Sequence, residues 1–129
     1  MSHTEAYGDY HAVNLDAQTS RASPVELVLL LTDGLLDELA RARAHIVAKR
    51  YEQKAASIDK CVEIINGLSS SLDVEQGGEV VANLGRLYEF CATRLHSAGI
   101  ALDPLMVDEV VKILNTIRQG WLGVQARNG

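Results

Sequence analysis

Apolar side chains recur every three or four residues through four separate stretches of this chain, and nothing alternates with period two for long enough to suggest a strand. The first stripe is Val28, Leu31, Leu35, Leu39, Ala42 and Ile46. The second is Ile58, Cys61, Val62, Ile65, Leu68 and Leu72, and the third Val80, Leu84, Leu87, Tyr88, Cys91 and Leu95. The fourth is Val107, Val110, Val111, Leu114, Ile117 and Trp121. Four amphipathic helices joined by short links bury their stripes against one another, so the spacing predicts an all-α fold, an antiparallel four-helix bundle. A dimer of shorter hairpins would bury the same stripes, but four helices in one chain need no partner. With 129 residues the chain is long enough for one such core and short for two domains.

Local chemistry marks where the helices begin. The two prolines, Pro24 and Pro104, each follow a capping residue, Ser23 and Asp103. Proline at the first helical position sacrifices an N–H that has no helical partner, and the residue before it supplies an oxygen to a free backbone N–H. In Ser23-Pro24-Val25-Glu26 the glutamate can also reach back to the cap. Asp73-Val74-Glu75-Gln76 is a third capping pattern, and a fourth start near Tyr51 has no clean cap. Residues 1–22 differ: polar and small, with Tyr7, Tyr10, Val13 and Leu15 as their large apolar side chains after Met1. The reading is a tail over 1–22, forming a strap or short helix on the surface, and a bundle over 23–126.

Charge and composition exclude several classes. Twelve Lys+Arg against seventeen Asp+Glu leave a net −5, a poor basis for gripping nucleic acid. The longest apolar run, Leu27 to Leu31, falls far short of the roughly 20 residues that span a bilayer, so no membrane insertion is expected. The N-terminus carries no charged-then-apolar export signal, and a cytoplasmic location is expected.

Helix 1 carries more apolar surface than one stripe needs. At about 100° per residue, Leu27 and Leu30 point away from the Leu35–Leu39 direction, close to Gly34, and Leu31 lies between the two groups. Helix 4 has a weaker surplus, a line of Met106, Ile113 and Val124. Wide stripes and scattered exposed apolar residues are ordinary in small bundles. The sharper reading is a groove for an amphipathic segment of a partner, lined by Leu27, Leu30, Leu31, Gly34, Met106 and Ile113. Tyr10 and Val13 of the tail would dock over it until the partner arrives.

The residues offer no catalytic chemistry. There is no Glu-x-x-His pair and no glycine-rich phosphate loop after a strand. His45 and His96 sit singly on different helices, without a ligand-type residue three or four positions away. Cys61 and Cys91 each fall on a core-facing stripe. No cofactor and no metal are expected, and the chain reads as a non-enzyme. A helical regulatory module, with His96 as a phosphotransfer residue, is the alternative reading.

The stretch from Ser71 to Tyr88, SLDVEQGGEVVANLGRLY, carries a longer signal. Leu72 is expected to close helix 2, Asp73 to cap helix 3, and Glu75 and Glu79 to favour its positive N-terminal end. Gly77 and Gly78 so early in a helix imply either a tight corner or the close approach of another backbone. This stretch resembles the signature of the FliS family of flagellar secretion chaperones. Ala22-Ser23-Pro24 with Glu26-Leu27 resembles that family's first-helix start, and Asp33-Gly34, Tyr10 and Trp121 fall at matching positions. Thr32 stands where the family usually has Tyr or Phe, and Cys91 where Met is common. The resemblance, from about Tyr7 to Trp121, implies a cytosolic export chaperone. It would bind the disordered C-terminal segment of flagellin, prevent premature polymerisation and assist flagellar type III export. The flagellar export gate is a further partner it implies.

Overall fold

The computed structural model describes residues 23–128. They form four helices: α1 (Pro24–Val47), α2 (Tyr51–Ser70), α3 (Val74–Ala101) and α4 (Pro104–Asn128). No strand occurs among the described residues. α1 packs on α2 and α4, and α3 packs on the same two, so the helices close a square with one core down its middle. Successive helices run in opposite directions. The start of α1, the α2–α3 corner and the end of α4 therefore share one end of the bundle.

The helix starts follow the local chemistry. The Ser23 side chain accepts from the Glu26 N–H at 3.2 Å. Asp73 accepts from the Gln76 N–H at 3.2 Å, and Asp103 Oδ1 from the Leu105 N–H at 2.9 Å. Arg50, before α2, makes no side-chain cap. The turn there is closed instead by backbone, with Lys49 at φ 58° and the Arg50 N–H bonded to the His45 carbonyl at 2.9 Å.

The core is built from Leu35, Leu39, Ala42 and Ile46 of α1; Ile58, Cys61, Ile65 and Leu68 of α2; Tyr88, Cys91, Leu95 and Ala98 of α3; and Val107, Val110, Leu114 and Ile117 of α4. It closes within one chain. Thr32 is fully buried, and its hydroxyl is satisfied by donating to the Val28 carbonyl at 2.7 Å. Glu38, also buried, meets Arg41 at 3.1 Å and Lys60 of α2 at 3.8 Å. Burial alone would raise the Glu38 carboxyl. Hydrogen bonds from Arg41 and Ser57 and the two nearby cations outweigh it and hold the group below its ordinary value.

Two members of the third stripe are corrected by the structure. Val80 is 78% exposed and Leu87 43% exposed. The steps from Val80 to Leu87 to Arg94 are seven residues each, so they run along one edge of α3, about 80–120° from the buried Tyr88. The apolar spacing is helical, but this line follows the rim of the helix and not its buried face.

Candidate protein-binding surface

The α2–α3 corner is where the sequence is most unusual and where the surface opens. α2 ends at Ser70 rather than at Leu72, which sits in the link and packs half-buried against the core. α3 starts under the Asp73 cap and is broken at Gly78, whose φ of 60° and ψ of −139° are non-helical. That conformation is essentially closed to residues with a Cβ. A Cβ on Gly77 would lie 1.8 Å from Cγ2 of Val81, whereas one on Gly78 meets nothing. Among the described residues no neighbouring backbone approaches the glycine pair. The pair permits a break in α3 that brings Val81 back against the first turn.

Two grooves flank α3, one at its start and one running on to His96. One, of about 410 Å³, lies between the first turns of α1, the corner and α4. Its walls include Leu27, Val28, Leu31, Leu72, Val81 and Trp121. The other, of about 570 Å³, runs between α2 and α3 past Val62, Asn66, Ser69, Ala82, Gly85 and Arg86. Val81 and Ala82 are adjacent in sequence but point to opposite grooves. The Ser71–Tyr88 stretch thus contributes to both, with Leu72, Gln76 and Val81 in one and Ala82, Gly85 and Arg86 in the other.

A third surface follows from the exposed edge of α3. Val80, Leu87 and Phe90 lie open there, and the Arg94 guanidinium sits 5.6 Å from the Phe90 ring centre. Arg94 Nε also pairs with Glu109 Oε2 of α4 at 2.7 Å, which marks this edge as the α4-facing one. On α4, Met106 and Ile113 share the Glu109 side. The opposite side of α4 faces α1, through Arg43–Asp108 and Arg118–Asp33, both at 2.7 Å. The α3–α4 seam is therefore edged by apolar side chains of both helices.

The residues singled out from sequence do not converge on one groove. Leu27 and Leu31 line the groove at the start of α1. Leu30 is half-buried, outside the core cluster, and lines neither groove. Gly34 is exposed with open space where a Cβ would be. Met106 and Ile113 are half-buried against the core at the α3–α4 seam, across the bundle from Leu27. Tyr10 and Val13 lie outside the described residues. Sequence reasoning missed Leu72, Val81 and Trp121 as groove walls, because each sits on or beside a core stripe. It also missed the edge of Val80, Leu87 and Phe90, for which the seven-residue step from Val80 to Leu87, off the Tyr88 line, was the available signal.

Among the described residues no group of three or more His, Cys, Asp or Glu could hold a metal ion. Burial pushes the Cys61 thiol up to about 12 and the Cys91 thiol up to about 11, so both stay protonated and unreactive at neutral pH. No helix among the described residues is long and apolar enough to cross a membrane. The surface offers grooves, apolar edges and charges, which suit the binding of a chain segment.

Comparison with known proteins agrees with that chemistry. The family model described as flagellar protein FliS matches residues 6–128. The chain is 39% identical over 120 residues to flagellar secretion chaperone FliSB of Pseudomonas aeruginosa, covering 93% of this chain and 95% of the relative. It is 34% identical over 113 residues to flagellar secretion chaperone FliS of Salmonella typhimurium, covering 87% and 84%. It is 31% identical over 100 residues to the chaperone of the same name from Bacillus subtilis, covering 78% and 74%.

Proposed function

The chain belongs to the FliS family of flagellar proteins, secretion chaperones and not enzymes, and from that premise we propose that its cargo is flagellin, held through the C-terminal segment. The observation that carries this reading is the Ser71–Tyr88 stretch, which lines a groove on each side of α3. A segment that is amphipathic when helical and disordered when free self-associates if left exposed. Laid along apolar grooves it is masked. Ordering such a segment costs free energy, which keeps the complex reversible and suits hand-over to the export gate. The work is done in the cytoplasm, before export.

Calorimetry with full-length and C-terminally truncated flagellin tests the cargo. A one-to-one complex with the full-length protein is expected, and truncation should weaken binding by at least ~100-fold if the segment supplies the anchoring contacts. Equal affinity for the two would overturn the reading.

The tail enters the same proposal. The groove at the start of α1 has Pro24 in its wall, so the described chain begins beside it. A tethered apolar segment at high effective concentration covers such a groove even if its own affinity is low. Tyr10 and Val13 are proposed as that cover, displaced when flagellin arrives. Deleting residues 2–18 should raise the flagellin association rate and the self-association of the free chaperone. An unchanged association rate with faster dissociation, measured by stopped flow, would instead make the tail a cargo contact. The chain's single tryptophan, Trp121, is in the wall of this groove and gives the signal.

A further inference from the structure

The α1–α2 turn and the end of α3 meet at the end of the bundle opposite the Gly77–Gly78 corner. Large apolar side chains lie open there: Val47 is 59% exposed, Tyr51 56% and Ile100 87%. Tyr51 begins α2 and Ile100 lies in the last turn of α3. The two helices are tied at this point by Lys54, whose Nζ donates to the Gly99 carbonyl at 2.9 Å. Gly99 admits the approach, since a Cβ on it would lie 2.8 Å from Ile58 Cδ1.

Charge singles out the same end. The chain is acidic overall, and Arg41, Arg43, Lys60, Arg94 and Arg118 each pair with a carboxylate, Arg41 and Lys60 sharing Glu38. Among the described residues Lys49, Arg50, Lys54, Arg86, Lys112 and Arg127 make no ion pair, and of these only the first three cluster, within six consecutive positions. Arg50 donates to His45 Nδ1 at 3.0 Å and pairs with no carboxylate. Glu52 is the one carboxylate in the chain between His45 and Lys54. Unneutralised cations beside exposed apolar side chains complement a surface of the opposite charge and similar polarity.

We propose that this end of the bundle is a second docking surface, for a segment of another protein that presents carboxylates beside apolar side chains. Three cations on an acidic protein are too few to hold a nucleic-acid backbone at physiological salt. The 28 residues of α3 put this end about 40 Å from the groove at the start of α1, and the α2–α3 groove stops at His96, one turn short of Ile100, so a partner seated here leaves both open. The inference goes beyond the cargo reading and does not require it. It would let one molecule hold cargo and engage a second protein at once.

The test uses the isotope-labelled full-length protein and a synthetic peptide alternating Leu and Phe with Glu, followed by amide chemical shifts. Shifts are expected over residues 45–55 and 97–102. Affinity should fall at least ~10-fold between about 50 and 300 mM salt, as screening shortens the reach of the three cations. A Lys49→Glu/Arg50→Glu variant and an Ile100→Asp variant should each weaken binding ~10-fold or more with an unchanged melting temperature, since all three side chains are exposed. The preformed flagellin complex should bind the peptide as the free protein does. Shifts centred on the grooves or the α3–α4 seam would overturn the proposal. So would an equal response to the same peptide with Lys in place of Glu, tighter binding to phosphatidylglycerol vesicles than to the peptide, or loss of peptide binding on the flagellin complex. Failure of the cargo reading would show separately, as a flagellin that does not bind while the peptide still does.

Discussion

Leu35→Asp is expected to leave no folded bundle at room temperature, while Leu27→Asp leaves it folded and weakens cargo. Leu35 is fully buried in the core cluster, amid side chains with no cation among them. Removing a buried leucine costs about 2–5 kcal/mol, and burying an unpaired carboxylate adds several more. A domain of this size has about 5–15 kcal/mol in total, so the substitution consumes most or all of it. Leu27 lies one turn past the Ser23 cap, half-buried and outside the core cluster, with a groove in front of it. An aspartate there keeps its charge in water and sits near the positive end of α1, so the melting temperature should move by only a few degrees. Flagellin affinity should nonetheless fall ~10-fold or more, because the apolar wall now carries a charge. Circular dichroism melts and calorimetry on both variants check the pair. Equal destabilisation would place Leu27 in the core and end its assignment to the groove.

Gly78→Ala should destabilise the bundle by about 1–3 kcal/mol and lower the melting temperature by about 5–15 °C. No atom clashes with the new methyl group; the cost is conformational, since φ 60° with ψ −139° is a backbone state for glycine alone. Asparagine, which tolerates the left-handed helical region near ψ +47°, should not rescue it, because Gly78 lies far from that region. The strain would relax by straightening the start of α3, which moves Val81 in one groove and Ala82 in the other. Binding should therefore suffer on both sides of α3 from a change that touches neither groove. A Gly78→Ala variant with unchanged melting temperature would show that the break is incidental.

What could be read from sequence follows the range of the forces involved. Ser23, Asp73 and Asp103 announce their helices because a cap is a bond across two or three residues. The turn before α2 has no cap and was correspondingly faint; it is held by the left-handed Lys49 and backbone bonds, which composition does not reveal. The core faces of α1, α2 and α4 were legible because burial repeats with the helical period. Along α3 the same period also runs through Val80 and Leu87, and only the placement of α4 decides that they are rim. The grooves were the least legible part. They are gaps between three or four elements, so Leu27 is a wall while Leu30 is not. Met106 and Ile113 fall on the far side of the bundle from the residues they were grouped with.

An even number of antiparallel helices returns the chain to the end where it started, and here that is also the end with the Trp121 groove. This arrangement has a mechanical consequence. Tension applied between Pro24 and Asn128 pulls α1 and α4 from the same end and parts them turn by turn, loading a few contacts at a time. Tension between Pro24 and Lys49 would instead shear the whole length of α1 against its neighbours. The bundle is thus softest along the line joining the outer ends of α1 and α4. A strand drawn out of the adjacent groove would pull on the part of the protein that yields first and recloses most readily, leaving the opposite half of the core intact.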